Sequence, residues 1–130
     1  MNVYFLLAGV IGFLGGIAHT FLGHKWTVKA LDPEKLQSTQ NTGEQDARYL
    51  TWFWHIGSLL LLSSSAILIL HGLMIKTFSI DLIEYVCILW LGTTLLFFVL
   101  GSRKPSQLLG MIPGWVGVPV NILILLGLLL

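Results

Sequence analysis

Residues 49–75 read YLTWFWHIGSLLLLSSSAILILHGLMI and contain no Asp, Glu, Lys or Arg. An apolar run of about 18 residues or more is long enough to cross a bilayer as a helix. Three further stretches, 1–24, 85–102 and 105–130, also lack these four residue types. Charged residues make up 10% of the chain, against about 25% in a soluble domain. They are confined to Lys25–Arg48, Lys76–Glu84 and the pair Arg103 and Lys104. Mean hydropathy is +0.86. A chain of 14.4 kDa has too little interior to hide four such stretches from water. The predicted fold is therefore all-α: an integral membrane four-helix bundle, up-down-up-down, forming a single transmembrane domain over 1–130. Its helices are expected at about 3–24, 44–72, 81–101 and 107–130.

Several classes of function fall away on composition. A formal charge of +1 supplies no field for nucleic acid. The single cysteine, Cys87, permits neither an internal disulfide nor a cysteine-based metal knuckle, and among apolar neighbours it reads as a small core residue. The first positive residue, Lys25, follows the first apolar run instead of preceding it. That order is unlike a signal peptide, so this helix is expected to stay in the protein.

Local signals set the ends. Thr42 and Gly43 precede the second helix, with Glu44 and Asp46 where the helix dipole favours negative charge. Asp81 and Glu84 have capping-box spacing before the third. In the fourth, Pro113 and Pro119 leave two alternatives: a start near Pro113 or a kinked helix from about 107. Asp32-Pro33-Glu34 reads as an N-cap with Pro at the first helical position, and Gln37 to Gly43 as a polar turn. Basic residues set the expected orientation. The loop 25–48 carries Lys25, Lys29, Lys35 and Arg48, and the third connection Arg103 and Lys104, against Lys76 alone in the second. Loop 25–43 is then cytoplasmic, both termini face outside (the periplasm of a bacterium), and Trp26, Trp52 and Trp54 lie at the inner interface.

Chemistry-bearing residues are few. His19 precedes Lys25 and His55 follows Arg48 by similar distances, so at about 1.5 Å per residue both lie about 9 Å inside the cytoplasmic edge. One helical stripe is Ala8, Gly12, Gly15, Gly16, His19, Gly23 and Trp26; the other is Arg48, Thr51, His55, Ser58 and Ser65. Small residues on one helix and polar residues on its neighbour mark faces turned toward protein. His19 and His55 are therefore expected to point into one interior. Neutral imidazoles bind haem iron or transition metals such as zinc and copper. His24 is a further metal-ligand candidate, with Glu44 or Asp46 reaching over. However, His19 and His24 are five apart, about 140° around an α-helix, so His24 joins only if the helix ends near Gly23. Alternatively, His19 and His55 lock the helix pair, or handle protons or a small ligand. His71 reads as a cation at a helix C-terminus. Thr93 and Thr94 are expected to bond their own preceding carbonyls, Gln107 and Asn121 to bond between helices, and Gly110, Gly114 and Gly117 to form a small packing face.

Gly16-Ile17-Ala18-His19-Thr20-Phe21-Leu22-Gly23, with Trp54-His55 in the second helix, resembles a family of small bacterial inner-membrane proteins of four helices. Those proteins carry G-x-x-H-[ST]-x-x-G at the end of helix 1. The resemblance implies the helix count and marks His19 and His55, but implies no reaction. An acidic residue often follows the second glycine in that family; here the position is His24. The expected function is a non-enzymatic accessory, binding or transport component of the inner membrane, in contact with the lipid bilayer and other membrane subunits, with a His19/His55 polar pocket near the cytoplasmic face. The alternative is a membrane redox protein holding haem or a transition metal on those histidines.

Overall fold

The computed structural model describes residues 1–26, 28–35, 42–101 and 112–130, with only the backbone described at 100, 101 and 112–114. Among the described residues there are four long helices: α1 (Val3–Ala18), α2 (Gly43–Gly72), α3 (Ile80–Gly101) and α4 (Ile112–Leu129). α1 runs on through a π-helical turn, His19–Gly23, into His24–Trp26. α1 with its continuation, α2 and α3 are long and apolar enough to cross a membrane; the apolar part of α4, Trp115–Leu129, is shorter. The expected residues 107–111 of the fourth helix, with Gln107, Gly110 and the basic pair Arg103 and Lys104, lie outside the described residues, as do 37–41 of the polar turn. Pro119 sits inside α4.

Caps explain the helix starts. The Asn2 side chain accepts from the N–H groups of Tyr4 (3.1 Å) and Phe5 (3.3 Å), a favoured N-cap arrangement. Thr42 and Gln45 form a reciprocal capping box on α2. α3 differs from expectation. Its cap is Ser79, whose hydroxyl oxygen accepts from Leu82 N–H (3.4 Å), and Asp81 lies inside the first turn. In the first loop, Asp32 accepts from Glu34 N–H (3.2 Å) as a cap should, but the helix after it is one 3₁₀ turn, Pro33–Lys35.

α2 ends in a Schellman arrangement. Met74 N–H donates to the His71 carbonyl (3.0 Å) and Ile75 N–H to that of Leu70 (3.1 Å). The residue after the Leu73 cap is Met74, at φ 58°, a left-handed conformation usually given to glycine. For a residue with a Cβ this conformation costs roughly 1–2 kcal/mol. Met74→Gly is therefore expected to stabilise the protein by about 1 kcal/mol, read as a higher Tm in detergent. A lower Tm would show that the Met74 side chain contributes more than its backbone strain.

α1 lies between α2 and α4, and α3 packs chiefly on α4. Neighbours run in opposite directions. Asn2 at the start of α1 donates its N–H to the Gly72 carbonyl (3.0 Å) at the end of α2, and its amide to the Gly127 carbonyl (2.9 Å) near the end of α4. The core is Phe5, Ala8, Leu68, Ile83, Val86, Trp90, Val120 and Ile124, with Cys87 half-buried against it. Leu14, Phe21, Leu59, Ile88 and Leu96 are exposed, an apolar outer surface suited to lipid. Small residues let the inner faces meet. A Cβ on Gly9 would lie 2.8 Å from the Ser65 carbonyl oxygen, so the two backbones are in contact there. Several polar groups inside bond locally or between helices, whereas the Trp90 Nε1 and Asn121 Oδ1 have no hydrogen-bond partner. Thr93 and Thr94 bond their preceding carbonyls, and Asn121 donates to Thr94 (3.0 Å) and to the Gly117 carbonyl (2.8 Å). Gly117 packs against Thr94.

Candidate functional site

The π-helical turn decides where the histidines point. A π turn takes more residues per revolution than an α turn, and such turns occur mostly as single insertions, frequently at functional sites. Here it reduces the 140° offset that an α-helix would impose between His19 and His24, and His24 meets His55 of α2. Two side-chain bonds accompany the widening. Thr20 donates its hydroxyl to the Gly16 carbonyl (2.8 Å), and the Trp54 indole N–H of α2 donates to the His19 carbonyl (3.2 Å). Donors that intrude on the backbone ladder are a recognised cause of such irregularity. Gly23 makes the arrangement fit: a Cβ there would fall on the Trp54 ring.

Both histidines consequently meet α2, each with its own partner. The His19 Nδ1 is 3.0 Å from the Ser58 hydroxyl, and its ring stacks on Trp54 with centroids 4.2 Å apart and planes 3° apart. Ser58 is buried and donates onward to the Trp54 carbonyl (3.1 Å). His24 faces His55 instead, with ring centroids 5.2 Å apart and planes tilted by 32°. The Nδ1 of His24 is buried and has no hydrogen-bond partner.

The expected pairing of His19 with His55 in a dry interior is thus corrected. Ser58 and Trp54 are the direct partners of His19, and His24 is the ring that meets His55. His55 is exposed. It lines a shallow groove of about 350 Å³ with Ala47, Arg48, Thr51 and Trp52. The physical reason is the length of α2: among the described residues its start meets only short 3₁₀ turns, with Gly43 against Pro33, and Arg48, Thr51 and His55 line the open groove. Nor do His19, His24 and His55 gather as one ligand set with Glu44 or Asp46, since no three His, Cys, Asp or Glu side chains among the described residues come together. Glu44 instead lies 3.9 Å from Arg48. His71, at the opposite end, accepts from Phe78 N–H through Nδ1 (3.1 Å) and meets the edge of Phe5 at 5.2 Å. It ties the α2–α3 connection to α1.

Sequence reasoning missed Trp54, which it placed at the interface with Trp26 and Trp52. Those two are exposed, whereas Trp54 is half-buried on His19 and Gly23. The available signal was Gly23, the small residue one turn beyond His19, which demands a large partner. No protein-family model, curated protein or solved structure matches the chain.

Proposed function

We propose that the chain is a multi-pass protein of the bacterial inner membrane, a non-enzymatic accessory, binding or transport component. Its working part is the His24/His55 end of the histidine cluster, at the cytoplasmic face. The observation that carries this reading is the π turn, which turns two histidines of α1 toward α2 and assigns them different tasks. His19, held by Ser58 and Trp54, fastens the helix pair. His24 and His55 meet at the open end, where the Nδ1 of His24 has no protein partner. The basic residues of loop 25–48 support the cytoplasmic placement and outward termini. Resemblance to the small four-helix inner-membrane family supports the same localisation.

The division of labour is testable by folded yield in detergent. His19→Ala is expected to destabilise by about 1–2 kcal/mol, from a lost stack and a lost hydrogen bond. His24→Ala and His55→Ala are expected to fold with parental yield while the host loses the protein's contribution. If all three lower the yield alike, the cluster is a helix lock and the binding reading falls.

A further inference from the structure

A polar atom that is buried without a partner costs about 1–3 kcal/mol, and a membrane protein has little reason to retain one near water, where a partner is close. The Nδ1 of His24 is such an atom. The group its ring faces is a second imidazole, His55, at 5.2 Å between centroids. A neutral imidazole offers one lone pair, and two imidazoles brought together offer two, which a metal cation can accept from both at once. Two imidazoles bound to one ion at about 2.0–2.1 Å, at a tetrahedral angle, have ring centroids about 5 Å apart. The observed spacing matches this value. On the exposed side, His55 opens onto the groove beside Thr51 and Arg48, so water or a partner's ligand has access to the remaining coordination positions.

We infer that His24 and His55 form a two-histidine site for a borderline divalent transition-metal ion, Zn²⁺ or Cu²⁺, open to the cytoplasmic side. This rests on the reading of that pair as the binding end of the cluster. Imidazole nitrogen selects such ions over Mg²⁺ and Ca²⁺, which prefer oxygen. With two protein ligands and open positions, the site suits an ion that is passed on more than one that is stored.

The test uses the full chain, without a histidine tag, purified in detergent and titrated calorimetrically with Zn²⁺ and separately with Cu²⁺. One ion per chain is expected, with a rise in Tm on binding. His24→Ala and His55→Ala should each weaken binding at least tenfold, while Ser58→Ala and His71→Ala stay within about threefold of the parent. Nitrogen hyperfine structure from two imidazoles in the Cu²⁺ spectrum is a second readout, which His24→Gln and His55→Gln should each reduce to one. Binding unaffected by both His24 and His55 variants, or no binding of either ion to folded protein, overturns the metal site. Should the two variants fold normally, remove the cellular contribution and yet leave no metal binding to lose, the metal assignment fails and the binding reading stands. Failure of both variants to fold removes the binding reading as well.

Discussion

Gly9→Ala is expected to destabilise the bundle by about 1–3 kcal/mol, and Gly9→Leu by more. The added Cβ would stand 2.7 Å from Ile69 Cγ1, 2.8 Å from the Ile69 nitrogen and 2.8 Å from the Ser65 oxygen. The first atom is the branch of a side chain and can rotate away. The other two are backbone, and yield only if α1 and α2 move apart along the whole contact. Gly57 supplies the control. It lies on α2 with nothing within 4 Å of its Cβ position, so Gly57→Ala should stabilise by about 0.5–1 kcal/mol, as for any glycine replaced in a helix interior. Unfolding each variant in a mixed-micelle denaturant series checks both signs. A Gly9→Ala variant as stable as the parent would mean that the helices are not in backbone contact at this level.

Trp54→Ala is expected to destabilise by about 3 kcal/mol. One side chain has three tasks: it stacks on His19, donates to the His19 carbonyl and fills the space over Gly23. Trp54→Phe retains most of the area and loses the indole donor, so about 1 kcal/mol of the effect should remain. Thermal unfolding followed by far-UV circular dichroism separates the two. Trp52→Ala is the companion variant. Trp52 is 62% exposed on the opposite face of the helix, and its loss should leave the Tm nearly unchanged. Equal effects at 52 and 54 would remove Trp54 from the centre of the site.

Much of the fold was legible because a helix long and apolar enough to cross a bilayer excludes charge over most of its length. The charged stretches beginning at Lys25 and Lys76 divide the apolar runs that form α1, α2 and α3, and the glycine stripe through Gly12 and Gly16 identifies the inner face of α1. The ends of helices were less legible. Asp81 and Ser79 both satisfy capping preferences, and only the backbone path shows that Ser79 takes the role. The site was half legible. The small stripe led to His19 and the polar stripe to Ser58 and His55, because both stripes follow α-helical spacing. The π turn breaks that spacing after Ala18. Nothing in Thr20, Phe21 or Leu22 announces an added residue per turn, since the bond that accompanies it comes from Trp54, on a different helix. His24 was accordingly placed on the wrong side of an α-helix and reached the site only through a proviso about where the helix stops.

The position of α1 between α2 and α4 also bears on biogenesis. α1 and α2 form one hairpin, joined along the glycines; α3 and α4 form another, joined through Thr94 and Asn121. The seam between them is chiefly α1 against α4, with Trp90 of α3 lying over Gly12. α4 follows the other three helices in the chain, so Phe5 gains Gly127, Gly15 gains Val116 and the Asn2 amide gains its carbonyl only once α4 has been synthesised.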